Sequence, residues 1–254
     1  MNGTRIYCAG NTAALSSAQQ NLLQQGFEIT QQPAPDVTHL LLPVPSFEAD
    51  GRIRGGGILA HILADLPEHI TVVGGNLQNP LLHGYATIDL LHDAQYIATN
   101  AAITADCAIR VARERMNCVW QHSPVLILGW GRIGKCLAHQ LKALGADVTV
   151  GARKEADLSI LRALGYGAVS SLNPGQLDRY HVIFNTVPAA VLSRDQCQTC
   201  DTGAIKIELA SRPGMDDTSV ISALGLPAKY APETSGKLIA DTFIRLLQRK
   251  ELSL

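Results

Sequence analysis

The segment from Val125 to Gly134 constrains the fold more than any other part of the chain. An apolar run, Val125-Leu126-Ile127-Leu128, leads directly into Gly129-Trp130-Gly131-Arg132-Ile133-Gly134, and a helical pattern of apolar residues follows. In such a unit the first glycine permits a tight turn, the second lets a pyrophosphate approach the backbone, and the third lets the helix pack against the strand. The free N–H groups at the helix start favour phosphates. We therefore predict that residues 129–134 bind a dinucleotide, which usually implies redox chemistry.

The next strand, residues 147–150, indicates which dinucleotide is bound. Sites selective for NAD place an acidic residue about 20 residues after the glycines, where it holds the ribose hydroxyls. Here the strand is followed by Gly151-Ala152-Arg153-Lys154, which contains two cations and no carboxylate. Because Arg153 and Lys154 would attract a 2′-phosphate, we predict NADP(H) in preference to NAD(H), with Ala152 beside them. A solvated helix start is the alternative interpretation of the two cations.

Alternating apolar strands and amphipathic helices predict an α/β chain of two domains. Residues 1–100 read as a smaller, flavodoxin-like parallel α/β domain, with strands at 5–9, 27–30, 37–42 and 70–73. Residues 101–234 read as a Rossmann doubly wound parallel sheet, preceded by a helix at 101–116 and completed by strands at 181–184, 204–209 and 228–231. We expect the C-terminal helix, residues 235–254, to pack back on the first domain.

Composition narrows the classes of partner. The 254 residues carry a net charge of −1 and are 46% hydrophobic, which favours a folded protein without a nucleic-acid surface or a polybasic membrane patch. No apolar run reaches the length of a membrane span, and residues 1–5 lack the apolar core of a secretory signal. We expect a cytoplasmic protein that forms a homo-oligomer.

The six cysteines do not predict a metal site. Cys197 and Cys200 have the spacing of a metal or redox pair, but no second close pair or nearby histidine cluster would complete a zinc site. We interpret all six as reduced structural thiols, as in a cytosolic protein.

Four segments, in order, carry a family resemblance. They are Asn100-Ala-Ala-Ile-Thr104-Ala-Asp106; Leu128-Gly-Trp-Gly-Arg-Ile-Gly134 through Val150-Gly-Ala-Arg153; Asn185-Thr186-Val187-Pro188-Ala189; and Glu208-Leu-Ala-Ser-Arg212-Pro-Gly214 with Ala231-Pro-Glu-Thr-Ser-Gly236. Together they resemble the A-type subunit of dipicolinate synthase from spore-forming bacteria. The chain departs from the family pattern at Ile103, at Asp106-Cys107 and at Glu233.

The resemblance implies a function in sporulation. The family performs a pyridine-nucleotide-linked oxidation of a dihydrodipicolinate-type cyclic dicarboxylate to dipicolinate by hydride transfer. It works beside a flavoprotein-like second subunit, the B-type component of dipicolinate synthase. The expected substrate is therefore a small dicarboxylate, and the departures from the pattern bear on its identity.

The candidate site residues follow from this substrate. Arg212 comes after a predicted strand and can bind a carboxylate through two parallel donors, although a surface ion pair is the alternative interpretation. Asn185, Thr186, Val187 and Pro188 also follow a strand and are predicted to border the nicotinamide, although Pro188 is also typical of a simple loop.

Further candidates flank the predicted Rossmann domain. Asn100 and Thr104 are predicted to donate hydrogen bonds to a substrate carboxylate or to the cofactor amide. Asp106 is predicted to lie close to both of them, near a helix start. Thr234 and Ser235 begin the last helix, where free N–H groups suit a second carboxylate, although they also serve as capping residues. Asp106 and Glu233 are the candidate proton acceptors, Glu233 only if it is buried.

A wider resemblance is to D-2-hydroxyacid dehydrogenases, which share the Gly-x-Gly-Arg-Ile-Gly turn. That resemblance puts Arg212 at the substrate-binding arginine and Glu233 at the position of the acid–base histidine. No histidine follows His181 in the chain, so the hydroxyacid set is incomplete. Two alternatives stay open: a reductase of another small acid, and a non-catalytic NADP-binding regulatory subunit.

Overall fold

The computed structural model describes residues 3–251 and divides them into two units, each built around its own parallel sheet. The first unit comprises the residues up to Asn100 together with those from Pro227 onward, and the second comprises Ala101–Leu226. The boundary thus falls inside one helix, at Asn100, and inside a second, at Leu226. Residues 252–254 of the predicted C-terminal segment lie outside the described residues.

The first unit is a five-stranded sheet. Its strands are β1 (Arg5–Cys8), β2 (Glu28–Thr30), β3 (His39–Leu41), β4 (Thr71–Gly74) and β5 (Ala86–Asp89), in the order β2-β1-β3-β4-β5 with all pairings parallel. Its helices are α1 (Ala13–Gln24), α2 (Leu59–Ala64), the start of α3 (Ala94–Arg113) and the C-terminal α8 (Pro232–Glu251). This strand order is that of the flavodoxin-like folds.

Helix α8 packs closely on α1. A Cβ at Gly236 would lie 2.5 Å from the Ala14 carbonyl oxygen and from Ser17 Cβ, so only glycine permits this approach. Farther along α8, Phe243 is fully buried, with its ring 5.9 Å from that of Phe27 in an edge arrangement. Helix α8 thus contributes to the same apolar core as β1 and α1.

The second unit is a six-stranded sheet. Its strands are β6 (Pro124–Leu128), β7 (Asp147–Ala152), β8 (Gly167–Ser170), β9 (Val182–Asn185), β10 (Ile205–Glu208) and β11 (Ile221–Ser222), in the order β11-β10-β9-β6-β7-β8, again all parallel. Its helices are the rest of α3, α4 (Arg132–Ala143), α5 (Glu155–Ala163) and α6 (Arg194–Gln198), and the unit ends at the first residue of α7 (Leu226–Tyr230). The order is that of a Rossmann sheet, and the predicted fold class is confirmed.

Several predicted elements differ from the structure. Residues 228–231 are not a strand: the chain turns at Gly225, with φ of +65°, and Leu226–Tyr230 forms a single helical turn. The sixth strand is instead the two-residue β11, and the edge strands β5 and β8 were not predicted. Helix α3 begins seven residues before the predicted position 101, and α8 begins at Pro232.

No helix within residues 3–251 is long and apolar enough to cross a membrane.

Candidate functional site

The glycine turn after β6 has the geometry that its sequence predicts. Gly129 adopts φ of +109°, and a Cβ there would overlap the Thr186 hydroxyl and lie 2.9 Å from Val187 Cγ2. A Cβ at Gly134 would overlap the Gly129 carbonyl oxygen. Only glycine therefore allows the tight turn at Gly129 and the close contact between α4 and β6.

Gly131 has a different role, because nothing lies near it. Its φ of −81° suits any residue, and a Cβ there would meet no atom within 4 Å. It is the N-cap of α4, and no side chain caps the helix. The first turn of a twelve-residue helix thus presents its N–H groups and positive dipole end to open space, with the exposed Arg132 and the half-buried Ile133 in that turn. This cradle fits a pyrophosphate.

Trp130 projects from the same turn and is half-buried. Its ring lies 6.0 Å from the ring of Tyr166 in an edge arrangement, and Lys135 Nζ lies 5.6 Å from the Trp130 ring centroid. The sequence reasoning did not identify Tyr166 or Lys135. They fix the indole beside the cradle through aromatic and cation–π contacts.

The carboxyl end of β7 presents two exposed cations. Ala152 is buried as the last residue of the strand, and Arg153 and Lys154 follow with exposed side chains. Neither cation forms an ion pair with any residue of the described part of the chain, whereas the neighbouring Glu155 is paired with Arg162 at 3.0 Å. Both cations are therefore available to an anionic group.

The loop after β9 is held by its own side chains. Asn185 is fully buried: its Nδ2 donates to the Val187 carbonyl oxygen at 3.0 Å, and its Oδ1 accepts from the Val187 N–H at 2.9 Å. Thr186 Oγ1 donates to the Leu128 carbonyl oxygen at 2.9 Å. Asn185 and Thr186 thus fix the loop internally, and the half-buried Val187 and exposed Pro188 form its outer part.

Glu208, which the sequence reasoning missed, organises the next loop. This buried carboxylate at the end of β10 accepts from Asn185 Nδ2 at 2.8 Å, from the Ala210 N–H at 3.1 Å and from the Gly214 N–H at 2.8 Å. It therefore closes the loop at both ends and joins it to β9. An acidic residue at the end of a predicted interior strand was the available signal, since an unpaired charge buried there would be costly.

Arg212 lies at the exposed tip of the loop that Glu208 closes. Its guanidinium forms no ion pair or side-chain hydrogen bond with residues 3–251. The alternative interpretation, a surface ion pair, therefore has no partner residue in the described part of the chain. Because β6, β7, β9 and β10 are parallel, the glycine turn, Arg153, Pro188 and Arg212 all follow strands at the same carboxyl edge of the sheet. Open α/β sheets bind ligands at this edge.

The α3 candidates do not form one group. Asn100 and Thr104 are one turn apart on the same face of the helix, and Thr104 is buried. Asp106 is exposed and lies about 200° around the axis from Thr104. The prediction that Asp106 is near a helix start is wrong, because α3 begins at Ala94 and places it in the second half.

The α8 candidates lie in its first turn, within the first unit. Glu233 and Thr234 are exposed, so the burial expected of an acid–base at Glu233 is not observed. The Ser235 N–H bonds to the Ala231 carbonyl oxygen and is not free, because the helix starts earlier than predicted. The Ser235 hydroxyl, however, is buried without a hydrogen-bond partner among the described residues.

The Cys197–Cys200 pair is buried on α6 and at its end. Burial raises the pKa of Cys197 to about 11 and also raises that of Cys200. Across residues 3–251 no group of three or more His, Cys, Asp or Glu side chains is arranged to hold a metal ion.

Comparison with known proteins gives the same resemblance as the four sequence segments. No family model matches the chain. The A-type subunit of dipicolinate synthase from Bacillus subtilis (strain 168) is 24% identical over 249 residues, covering 86% of this chain and 80% of that protein.

Solved structures share the fold. The A-type subunit of dipicolinate synthase from Bacillus halodurans matches with a TM-score of 0.82 at 23% identity, covering 96% of this chain and 98% of that one. Its counterpart from Bacillus subtilis matches with a TM-score of 0.80 at 22% identity, covering 100% and 99%. A transhydrogenase from Sinorhizobium meliloti matches at 0.71 and 12% identity, covering 97% and 94%.

The predicted resemblance is thereby confirmed: the chain is similar in sequence to an A-type dipicolinate synthase subunit and shares the fold of two solved subunits of that type.

Proposed function

We propose that the chain is an NADP-dependent oxidoreductase that oxidises a dihydrodipicolinate-type cyclic dicarboxylate to dipicolinate by hydride transfer. The similarity to the A-type subunits of dipicolinate synthase supports the reaction class, and the dehydrogenase fold supports a nicotinamide cofactor. Because that relative is one subunit of a synthase, the proposal includes a second, flavoprotein-like subunit.

One observation carries the proposal: an uncapped, open helix start and unpaired cations follow neighbouring strands at one sheet edge. The α4 N-terminus fits the pyrophosphate, because Gly131 leaves room for it and the first-turn N–H groups face it. Arg153 and Lys154, one strand away, fit a 2′-phosphate, so we propose NADP in preference to NAD.

The substrate side of the proposal depends on Arg212. A guanidinium without an internal partner can bind one ring carboxylate through two parallel hydrogen bonds, and the Glu208 network fixes the loop that carries it. Asn100, Thr104, Thr234 and Ser235 are the other proposed substrate ligands.

The chemistry itself is simple. A ring C–H bond breaks, both its electrons leave as hydride, and a proton leaves the ring to give the aromatic dicarboxylate. Bound NADP⁺ supplies the hydride acceptor. Because aromatisation supplies driving force, the chain's own task is to orient the ring and balance its charge, and a strong base is not required. The exposed Asp106 and Glu233 are consistent with this.

The test is the Arg212→Ala variant. Loss of a charge-assisted bidentate pair costs about 2–3 kcal/mol, which corresponds to a rise in KM for the cyclic dicarboxylate of roughly 30- to 150-fold. NADPH affinity, measured by calorimetric titration, should change less than about twofold, because the phosphates bind elsewhere.

Arg194→Ala is the matched control, since Arg194 is an exposed arginine of the same unit that pairs with Asp216 at 3.3 Å. Its KM should equal that of the wild type. Equal loss of substrate and NADPH binding in Arg212→Ala would remove Arg212 from the substrate role. Turnover of a 2-keto acid by the wild type, with none of the cyclic dicarboxylate, would replace the proposed reaction.

A further inference from the structure

A cluster of three side chains lies at the opposite edge of the second unit's sheet from the glycine turn. Ser123 immediately precedes β6 and His181 immediately precedes β9, so both lie at the amino ends of neighbouring strands. Cys118 lies in the segment between α3 and β6 and completes the cluster. The proposed oxidoreductase chemistry uses none of these residues.

The cluster is arranged around one thiol. Ser123 Oγ lies 3.5 Å from Cys118 Sγ and 3.3 Å from His181 Nδ1, and Cys118 Sγ lies 4.0 Å from that same nitrogen. Ser123 is buried, whereas the Cys118 and His181 side chains are exposed. An imidazole nitrogen this close to a thiol is placed to accept the thiol proton as the sulfur attacks, and the thiolate is the nucleophilic form of cysteine.

A cavity of about 240 Å³ adjoins the cluster and carries one charge of each sign. Cys118 and His181 line it, together with Arg115 and Asp201. Within the described residues Arg115 and Asp201 form no ion pair: Arg115 donates to the Val111 carbonyl oxygen, and Asp201 accepts from a neighbouring N–H. A ligand with both an ammonium and a carboxylate group would satisfy both charges.

The other cysteines differ from Cys118. Cys8, Cys107, Cys197 and Cys200 are buried, and Cys136 is half-buried. Burial raises the pKa of Cys136, which lowers the share of its thiolate at neutral pH. Within residues 3–251, Cys118 is thus the exposed cysteine, and it also has polar neighbours and a cavity.

We propose that Cys118 is a site of thiol–disulfide exchange with small zwitterionic disulfides, with Arg115 and Asp201 as the charge-recognising residues. The Cys118 thiolate attacks one sulfur of the disulfide, whose S–S bond breaks as the mixed disulfide forms. The other half leaves as a thiolate and takes up the proton that the Cys118 thiol gave up. The small disulfide is the oxidant and is reduced to one free thiol.

Three disulfides that share the same core, with a two-carbon arm on each sulfur, test the charge recognition. Cystine carries ammonium and carboxylate groups, cystamine only the ammonium groups, and dithiodipropionate only the carboxylates. The full-length protein is treated with each at neutral pH, modification is mapped by peptide mass spectrometry, and each rate is divided by that disulfide's rate with a free-cysteine peptide. Cystine should modify Cys118 before any other cysteine. Its normalised rate at Cys118 should be about tenfold higher than the normalised rates of the other two disulfides.

Matched variants separate the two parts of the proposal. Arg115→Gln should slow cystine and dithiodipropionate and leave cystamine unchanged, while Asp201→Asn should slow cystine and cystamine and leave dithiodipropionate unchanged. His181→Gln should slow all three about tenfold. His181 is exposed, so thermal unfolding of this variant should match the wild type. Equal normalised rates for the three disulfides, an unchanged rate in His181→Gln, or modification of Cys136 before Cys118 would overturn the proposal.

Discussion

The two units begin alike, with a strand, a glycine turn and a helix, but only one of the two helix starts is open. In the first unit, Thr12 caps α1 by accepting the Leu15 N–H at 3.2 Å. A Cβ at Gly10 would lie 2.6 Å from the Arg54 carbonyl oxygen and 2.8 Å from Pro43 Cγ, so other loops fill the space above that turn. In the second unit, Gly131 caps α4 without a side chain, and the space around it is empty.

The difference shows that a strand–turn–helix unit does not by itself make a phosphate site. A helix start binds phosphate only when its N–H groups have no internal acceptor and the backbone can be approached. At α1 neither condition holds, whereas at α4 both do. The same sheet edge of the second unit adds the unpaired Arg153 and Arg212.

Closing the open helix start should give the largest effect. Gly131→Asp supplies a capping carboxylate to α4, as Thr12 supplies a hydroxyl to α1, and the φ of −81° accepts the substitution without strain. The added acceptor and negative charge should weaken NADPH binding about 100-fold, roughly 2.7 kcal/mol, without lowering the free energy of unfolding. Calorimetric titration and urea unfolding measure the two quantities.

Thr12→Gly is the converse control. It removes the α1 cap and should lower the free energy of unfolding by only a few tenths of a kcal/mol. It should create no nucleotide site in the first unit, because the turn at Gly10 stays filled. Unchanged NADPH affinity in Gly131→Asp would contradict the comparison.

A charge pair with little solvent exposure supports the second unit, and its sensitivity to acid can be measured. In the second unit the Lys206 ammonium lies 2.7 Å from the Asp217 carboxylate and lowers the pKa of Asp217 from 3.8 to about 2. Because the folded-state pKa is depressed, the stabilisation is present above pH 3.8 and is lost as the pH falls towards about 2. It amounts to about 2 kcal/mol at neutral pH.

The Asp217→Asn variant measures this contribution. The difference in unfolding free energy from the wild type should shrink as the pH is lowered from neutral through that window. The adjacent Asp216→Asn is the control, because Asp216 and Arg194 form an exposed pair that contributes about 0.2–1 kcal/mol at most. If the difference in unfolding free energy between the wild type and Asp217→Asn did not depend on pH, the ion pair with Lys206 would not be the source of the stabilisation.

Glu208→Gln should change ligand binding less than Gly131→Asp does. The new amide would place an N–H against either the Ala210 or the Gly214 N–H, which both donate to Glu208 in the wild type. The loop that carries Arg212 would loosen, and KM for the dicarboxylate should rise about tenfold with NADPH affinity nearly unchanged. Steady-state kinetics in which the dicarboxylate and the nucleotide are varied in turn separates the effect on KM for the dicarboxylate from the effect on nucleotide binding. A tenfold loss of NADPH affinity would instead assign Glu208 to the cofactor side.

The sequence predicts the parts of the fold that local patterns specify. The β6 run, the glycine spacing and the apolar periodicity of α4 are local features, and the structure agrees with each of them. The prediction for the short segment 228–231 was wrong because a few apolar residues suit a strand or a helical turn equally well. Strands β8 and β11 were missed because the first begins with a glycine and the second has only two residues.

The site was less predictable because its organisation is tertiary. Arg212 could be found from its position after a strand, but Glu208 acts through partners that only the sheet brings together. Asp106 was grouped with Thr104 from their closeness in sequence, but two residues two positions apart on a helix lie about 200° apart around its axis, so they face different ways on α3.

The central claim is that the open start of α4 and the cations after β7 together bind NADP(H). The most direct measurement is calorimetric titration of the full-length protein with NADPH and NADH, beside an Arg153→Ala/Lys154→Ala double variant. The account predicts that NADPH binds the wild type more tightly, and that the double variant loses about 30-fold of NADPH affinity while NADH affinity is unchanged. The account would be contradicted if neither nucleotide bound. It would also be contradicted if NADPH and NADH bound the wild type equally tightly and the double variant bound both with unchanged affinity.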